Sequence, residues 1–125
     1  MTEEKILYKD LSYKIVGLAM QAHRELGPGF LEKLYENALM IRFEENGVSA
    51  QAQLPIQVQF HGRIVGDYIA DILVENSILV ELKAQERMLQ LHKAQTLNYL
   101  RATNYRLALL LNFGKISLEH DRIIL

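Results

Sequence analysis

The chain contains no cysteine. That excludes disulfides, thiolate zinc sites and cysteine nucleophiles together, and it fits a reducing compartment. Lysine and arginine form no run, and the formal net charge is −1. A tight stand-alone nucleic-acid binder usually carries a basic stripe, so charge alone does not point to one. It leaves room for an enzyme whose metal supplies positive charge locally. No apolar run approaches the roughly 20 residues needed to span a bilayer. The start, Met1-Thr-Glu-Glu-Lys5, lacks the basic-then-apolar pattern of a signal peptide. The expectation is a soluble, cytoplasmic protein with no membrane partner. No Ser-His-Asp arrangement stands out, and Gly27-Pro28-Gly29 is neither a dinucleotide fingerprint nor a Walker loop. His23, His61 and His120 are too scattered for a zinc site. His23 reads as a core or helix-end residue, the other two as loop residues.

What is present suffices for one domain over residues 1–125, with half of the residues hydrophobic and 23% charged. Residues 1–9 are expected to be frayed or loosely packed. Ile15, Leu18, Ala19, Ala22 and Leu26 recur at helical spacing, predicting a helix from Leu11 to Leu26 capped by Asp10 or Ser12. Gly27-Pro28-Gly29 stops it. A second helix is predicted from Phe30 to Glu45, with Leu31, Leu34, Ala38, Ile41 and Phe43 on its apolar side and Asn46-Gly47 at its end. The period then changes to two. Ile56, Val58 and Phe60 alternate with polar residues after Pro55, His61-Gly62-Arg63 turns the chain, and a strand runs from Ile64 through Asp71. A further strand follows, then a connection over Gln85–Met88 and a third helix from Leu89 to Thr103. Arg106 to Asn112 reads as an internal strand, and residues 116–118 and 122–125 as a short closing hairpin. This order gives an α/β or α+β sheet with helices packed on it.

The stretch Gly66–Ala84 organises the rest. It reads as an apolar hairpin into which Asp71, Glu81 and Lys83 are set. Ionised groups are costly to bury unless they are paired or bind a metal. Strand alternation points Glu81 and Lys83 the same way. A two-residue loop at Asn76-Ser77 would put Asp71 on the opposite face. A three-residue loop over Glu75–Ser77 pairs Val74 with Ile78 and sets Asp71 opposite Glu81. Opposed carboxylates repel, and a divalent cation between them would remove that penalty, since hard cations prefer oxygen ligands. Such a metal polarises a phosphoryl oxygen and acidifies water, with Lys83 orienting that water or stabilising developing negative charge. A solvated sheet face bearing a Lys–Glu pair accounts for the same spacing.

Two further groups join this one as candidates. Glu32 and Tyr35 lie three residues apart on one helix face. Glu32 would complete the metal's shell, or else serve as an acidic first-turn residue favoured by the helix dipole. His92, Gln95 and Tyr99 share one side of the third helix. They would contact phosphates or position Lys83, or form an exposed face with one amphipathic tyrosine.

Together these residues carry a resemblance. Gly29-x-x-Glu32-x-x-Tyr35 resembles the signature of the GxxExxY family. Asp71 followed by Glu81-Leu82-Lys83 resembles the D…ExK core of the PD-(D/E)XK nuclease superfamily, to which that family belongs. Gln95-x-x-x-Tyr99 is similar to a helix motif of several members, and Leu110-Leu-Asn-Phe-Gly114 also looks familial. Ala70 stands where the superfamily name has proline. The resemblance implies a restriction-endonuclease-like αβββαβ core with a mixed sheet flanked by helices. It implies Mg²⁺ or Mn²⁺ held by Asp71 and Glu81, with the Leu82 carbonyl as a further ligand. It implies Lys83 as the catalytic lysine, Glu32 as an outer acid, and Gln95 and Tyr99 beside them. The expected activity is phosphodiester hydrolysis in nucleic acid, DNA ahead of RNA, with a homodimer as one route to cutting two strands. A non-catalytic binding module on the same scaffold is the alternative. A small-molecule metallohydrolase, a third reading, would need a closed pocket.

Overall fold

The computed structural model describes residues 6–125, and the expectation of a loose start over residues 1–5 lies outside the described residues. Helix α1 spans Lys9–Leu26 and α2 spans Glu32–Glu45. Strands β1 (Ala50–Phe60), β2 (Arg63–Val74) and β3 (Ile78–Lys83) follow. Helix α3 (Gln90–Thr103), strand β4 (Leu107–Asn112) and strand β5 (Glu119–Ile124) complete the order. The strands form one five-stranded sheet in the order β1-β2-β3-β4-β5. Only β3 and β4 pair in parallel, joined through α3; the other neighbours are antiparallel. The expected αβββαβ order and mixed sheet are therefore present.

Helices cover both faces of the sheet. On one, Ile15, Leu18 and Ala19 of α1 and Tyr35, Leu39 and Phe43 of α2 pack against Ile72, Val80, Leu82, Leu109 and Leu111. On the other, Leu100 of α3 packs against Ile56, Leu79 and Ala108. β4 is buried at every position, as its unbroken apolar run predicts for a parallel strand covered on both faces. β2 pairs with β3 only over Ile72–Val74, so the outer part of the β1–β2 hairpin has no third strand beside it.

Several expectations change. α1 opens at Lys9 after a left-handed Tyr8 with no side-chain cap, so neither Asp10 nor Ser12 caps it; the Ser12 hydroxyl instead donates to the Lys9 carbonyl. The segment before it is anchored, because Arg122 donates to the Leu7 carbonyl at 2.7 Å. α2 starts at Glu32, not Phe30. Its buried stripe is Tyr35, Glu36, Leu39 and Phe43, while Leu31, Leu34 and Ile41 are exposed. Both stripes have helical spacing, so periodicity did not choose between them. The Tyr35 ring does: it stacks on Phe113 with centroids 4.6 Å apart. β1 begins earlier than expected and includes Pro55, which an edge strand tolerates because its outward side needs no N–H donor. No strand forms at residues 116–118; β5 pairs along β4 instead.

Candidate active site

The three-residue loop is the one that forms. Glu75 and Asn76 take left-handed conformations, Ser77 N–H donates to the Val74 carbonyl, and Val74 pairs with Ile78. Continuing that register sets Asp71 opposite Glu81. There the backbone ladder gives way to side chains. Asp71 N–H donates to Glu81 Oε2 at 2.8 Å, and Leu82 N–H donates to Asp71 Oδ2 at 2.7 Å. The two carboxyl groups are thereby close enough for each to act on the other's ionisation. Burial, then the Asp71 charge, push Glu81 up to about 8. Burial raises Asp71 as well, against the opposing pull of the Leu82 amide. Both carboxyls are thus harder to ionise than free ones, because burial and each other's charge disfavour a second negative charge.

A break in strand alternation places Asp71. Ala50 packs on the α1/α2 face, yet Leu54 and Ile56 pack on the α3 face. Likewise Ile72 and Val74 pack on the first face and Ala70 on the second. Both strands change phase at Gln53 and Asp71, a position that the β1–β2 ladder skips. Gln53 is left-handed there, with φ 60°, a conformation uncommon for a residue with a Cβ. Asp71 consequently feels charges from both layers. Glu36 of α2 acts on it from one side, and Tyr99 of α3 feels its charge from the other.

Glu32 keeps an exposed carboxyl at the start of α2. Partial burial raises its pKa, Lys83 opposes that, and Asp71 and Glu36 add to it. The turn before it is held by Tyr35, whose hydroxyl donates to the Gly27 carbonyl at 2.6 Å and accepts from Phe30 N–H at 3.2 Å. Lys83 is half-buried at the end of β3, beside Asn112 of β4. Asn112 is fully buried and makes four hydrogen bonds: it accepts from the Gln85 and Gly114 amides and donates to the Gln85 carbonyl and Glu119. It thereby ties the segment after Lys83 to the end of β4.

On α3, burial and then Glu81 raise the pKa of Tyr99. Burial and then Lys83 lower that of His92, whose Nδ1 accepts from the Leu89 amide at the helix start. Gln95, between them on the helix, is exposed. Lys83, Glu32 and Tyr99 thus each stand within electrostatic reach of the Asp71–Glu81 pair. Leu82 contributes its amide to Asp71 and its side chain to the core. His23 is a core residue, bonded to the Phe113 carbonyl.

Two residues that shape this site were missed in the sequence. Glu36 is buried and bonded to Lys33 at 2.8 Å and to the Gln53 amide at 2.7 Å. Its position four residues after Glu32 was a readable signal, since that spacing shares a helix face. Gln53 carried none, because a left-handed backbone at a glutamine has no local sequence signature.

A mixed sheet with this helix order and with an acid and a Glu-x-Lys on neighbouring strands has the architecture of the restriction-endonuclease-like folds. The chain belongs to the PD-(D/E)XK nuclease superfamily, whose model matches residues 9–123. It is similar in fold to the crystal structure of SSO0001, with a TM-score of 0.60 and 18% identity over 74% of this chain and 48% of that one. The chain thus spans about half the length of that protein. No curated protein matches it. The GxxExxY resemblance is compatible with the superfamily.

Nucleases of this superfamily typically use divalent metals. Among the described residues no three His, Cys, Asp or Glu side chains converge as a metal-holding group; Glu32 stands apart from the pair. The donor set nevertheless fits a hard cation. Mg²⁺ needs only one or two protein carboxylates, with water filling its other positions. The hydrogen bonds from the Asp71 and Leu82 amides engage one oxygen of each carboxylate and leave Asp71 Oδ1 and Glu81 Oε1 for a cation. Two carboxyls whose joint ionisation is disfavoured are also a pair whose charge a cation would neutralise.

Proposed function

We propose that this protein is a divalent-metal-dependent nuclease that hydrolyses phosphodiester bonds, in DNA ahead of RNA. The supporting observation is the Asp71–Glu81 pair, locked by the Asp71 and Leu82 amides, with Lys83 and Glu32 close enough to act on its charge. Asp71 and Glu81 are the residues that would hold Mg²⁺ or Mn²⁺, and the Leu82 carbonyl is a further candidate ligand. When bound, the cation supplies Lewis-acid polarisation of the phosphoryl oxygen and a more acidic water. Lys83 projects from the same strand face as Glu81, one pleat further on. Its ammonium donates to the attacking water or to a phosphoryl oxygen and opposes the charge that grows there. Glu32 accepts a hydrogen bond from that water at the open side of the site. Tyr99 closes the α3 side and offers its hydroxyl as a neutral donor to the scissile phosphate.

The Gly29-x-x-Glu32-x-x-Tyr35 signature gains a division of labour in this reading. Tyr35 builds the turn and Glu32 faces the reaction. The alternative, a non-catalytic binding module, is favoured by one observation: no third His, Cys, Asp or Glu among the described residues joins the carboxylate pair as a metal-holding group.

The test is incubation of the protein with single- and double-stranded DNA and RNA, with Mg²⁺ and with Mn²⁺, beside Lys83→Ala. The expected result is metal-dependent cleavage that falls about 10²- to 10³-fold in the variant, the range for loss of one charge-stabilising donor. Cleavage unchanged in Lys83→Ala would reject the assignment. No cleavage of any substrate would put the binding module ahead.

A further inference from the structure

A groove of about 560 Å³ lies between the β1–β2 hairpin and α3. Gln57 and Gln59 of β1, Tyr68 of β2, and Asn98, Tyr99 and Arg101 of α3 line it, and no carboxylate does. The Tyr68 and Tyr99 rings are 5.2 Å apart at an interplanar angle of 56°. Tyr68 is 49% exposed, so a large part of its ring is open to a ligand. Arg101 is exposed and spends one N–H on Asn98 at 3.1 Å, and a guanidinium has five. Tyr99 belongs to this groove and also stands within the field of Asp71 and Glu81. Groove and candidate active site are therefore contiguous through one ring.

We propose that this groove seats an unpaired nucleotide of the strand being cut, its base stacked on Tyr68 and its phosphate against Arg101. The inference rests on the nuclease reading and adds to it a preference for single-stranded or frayed substrate. Three lines carry it. Stacking on an aromatic ring accepts any base, because every base has a π-face. The amides of Gln57, Gln59 and Asn98 each present donor and acceptor, which matches base edges and not a bare phosphate. Lysine and arginine form no run in the sequence and the net charge is −1, which offers little to hold a duplex by its phosphates. A base within a duplex is stacked on its neighbours and reaches Tyr68 only after unpairing, which costs free energy.

The test is fluorescence anisotropy in EDTA, so that binding is read without cleavage or metal. The probes are a labelled single-stranded DNA, the same sequence as a blunt duplex, and a labelled mononucleotide. The proteins are wild type, Tyr68→Ala, Tyr68→Phe and Arg101→Ala, each checked for wild-type melting. The single strand is expected to bind about tenfold or more tighter than the duplex or the mononucleotide. Tyr68→Ala should lose about tenfold on the single strand, and Tyr68→Phe should keep the affinity because the ring remains. Arg101→Ala should flatten the salt dependence. Should Tyr68→Ala fail to fold, Arg101→Ala, on an exposed helix position, supplies the second reading. Single-strand affinity unchanged in Tyr68→Ala, a preference for the duplex, or a mononucleotide that binds as tightly as the strand would each overturn the proposal. Loss of the nuclease reading is seen separately, as absence of cleavage with metal while binding in EDTA persists.

Discussion

Glu81 holds its proton up to about pH 8 because burial and Asp71 disfavour a second charge. Folding therefore takes up a proton between the ordinary value of 4.5 and about 8. The sign follows: the contribution is full below 4.5 and is lost as pH rises through about 8. Asp71 is raised as well and acts in the same direction. In EDTA the melting temperature should fall as pH rises across this interval, and Glu81→Gln should flatten the fall. Thermal unfolding at several pH values checks it. A wild-type melting temperature that climbs across the interval would contradict the raised values of the pair. A second residue-scale expectation concerns Gly114. A Cβ there would lie 2.2 Å from the Gln85 carbonyl oxygen, a backbone atom that cannot swing aside. Gly114→Ala should cost about 3 kcal/mol, toward the upper end of ordinary overpacking, as read by urea unfolding. It should also disturb Lys83, because Gln85 lies two residues further along the chain.

At the scale of elements, the α1–α2 turn and the β1–β2 hairpin do most to place the site. Tyr35→Phe keeps the stack on Phe113 but removes the hydroxyl that joins Gly27 to Phe30. Equilibrium unfolding should show a loss of about 1 to 2 kcal/mol, and metal-dependent activity should drop because Glu32 is the residue after that turn. The sequence made the β2–β3 hairpin legible but left two loop lengths open, and the three-residue loop of the structure decides the meeting of Asp71 with Glu81. It made β4 legible through continuous apolar character. It did not reveal which side of α2 is buried. Leu31, Leu34 and Ile41 are as hydrophobic as Leu39 and Phe43, and the choice is made by Phe113, far away in the chain. Nor did it reveal the phase change at Gln53 and Asp71. A left-handed backbone at a glutamine has no local signature, and alternation counted along either strand predicts the wrong face beyond it.

At the scale of the whole molecule, the layers explain how a chain of net charge −1 would handle a polyanion. The α1/α2 layer supplies Glu32 and Glu36, the sheet supplies Asp71, Glu81 and Lys83, and α3 supplies Tyr99 and the aromatic groove. Negative charge is concentrated where a cation is expected, and phosphate would be met through that cation. No helix of the described residues is long and apolar enough to cross a membrane. The central claim is that Asp71 and Glu81 form a divalent-metal site, and thermal unfolding of wild type, Lys83→Ala and Asp71→Ala across a Mn²⁺ titration tests it most directly. Wild type and Lys83→Ala should be stabilised alike, by about 2.7 kcal/mol at a free-metal concentration of roughly 100 times the dissociation constant, and Asp71→Ala should not respond. No metal-dependent shift in the wild type, or an equal shift in Asp71→Ala, would contradict the account.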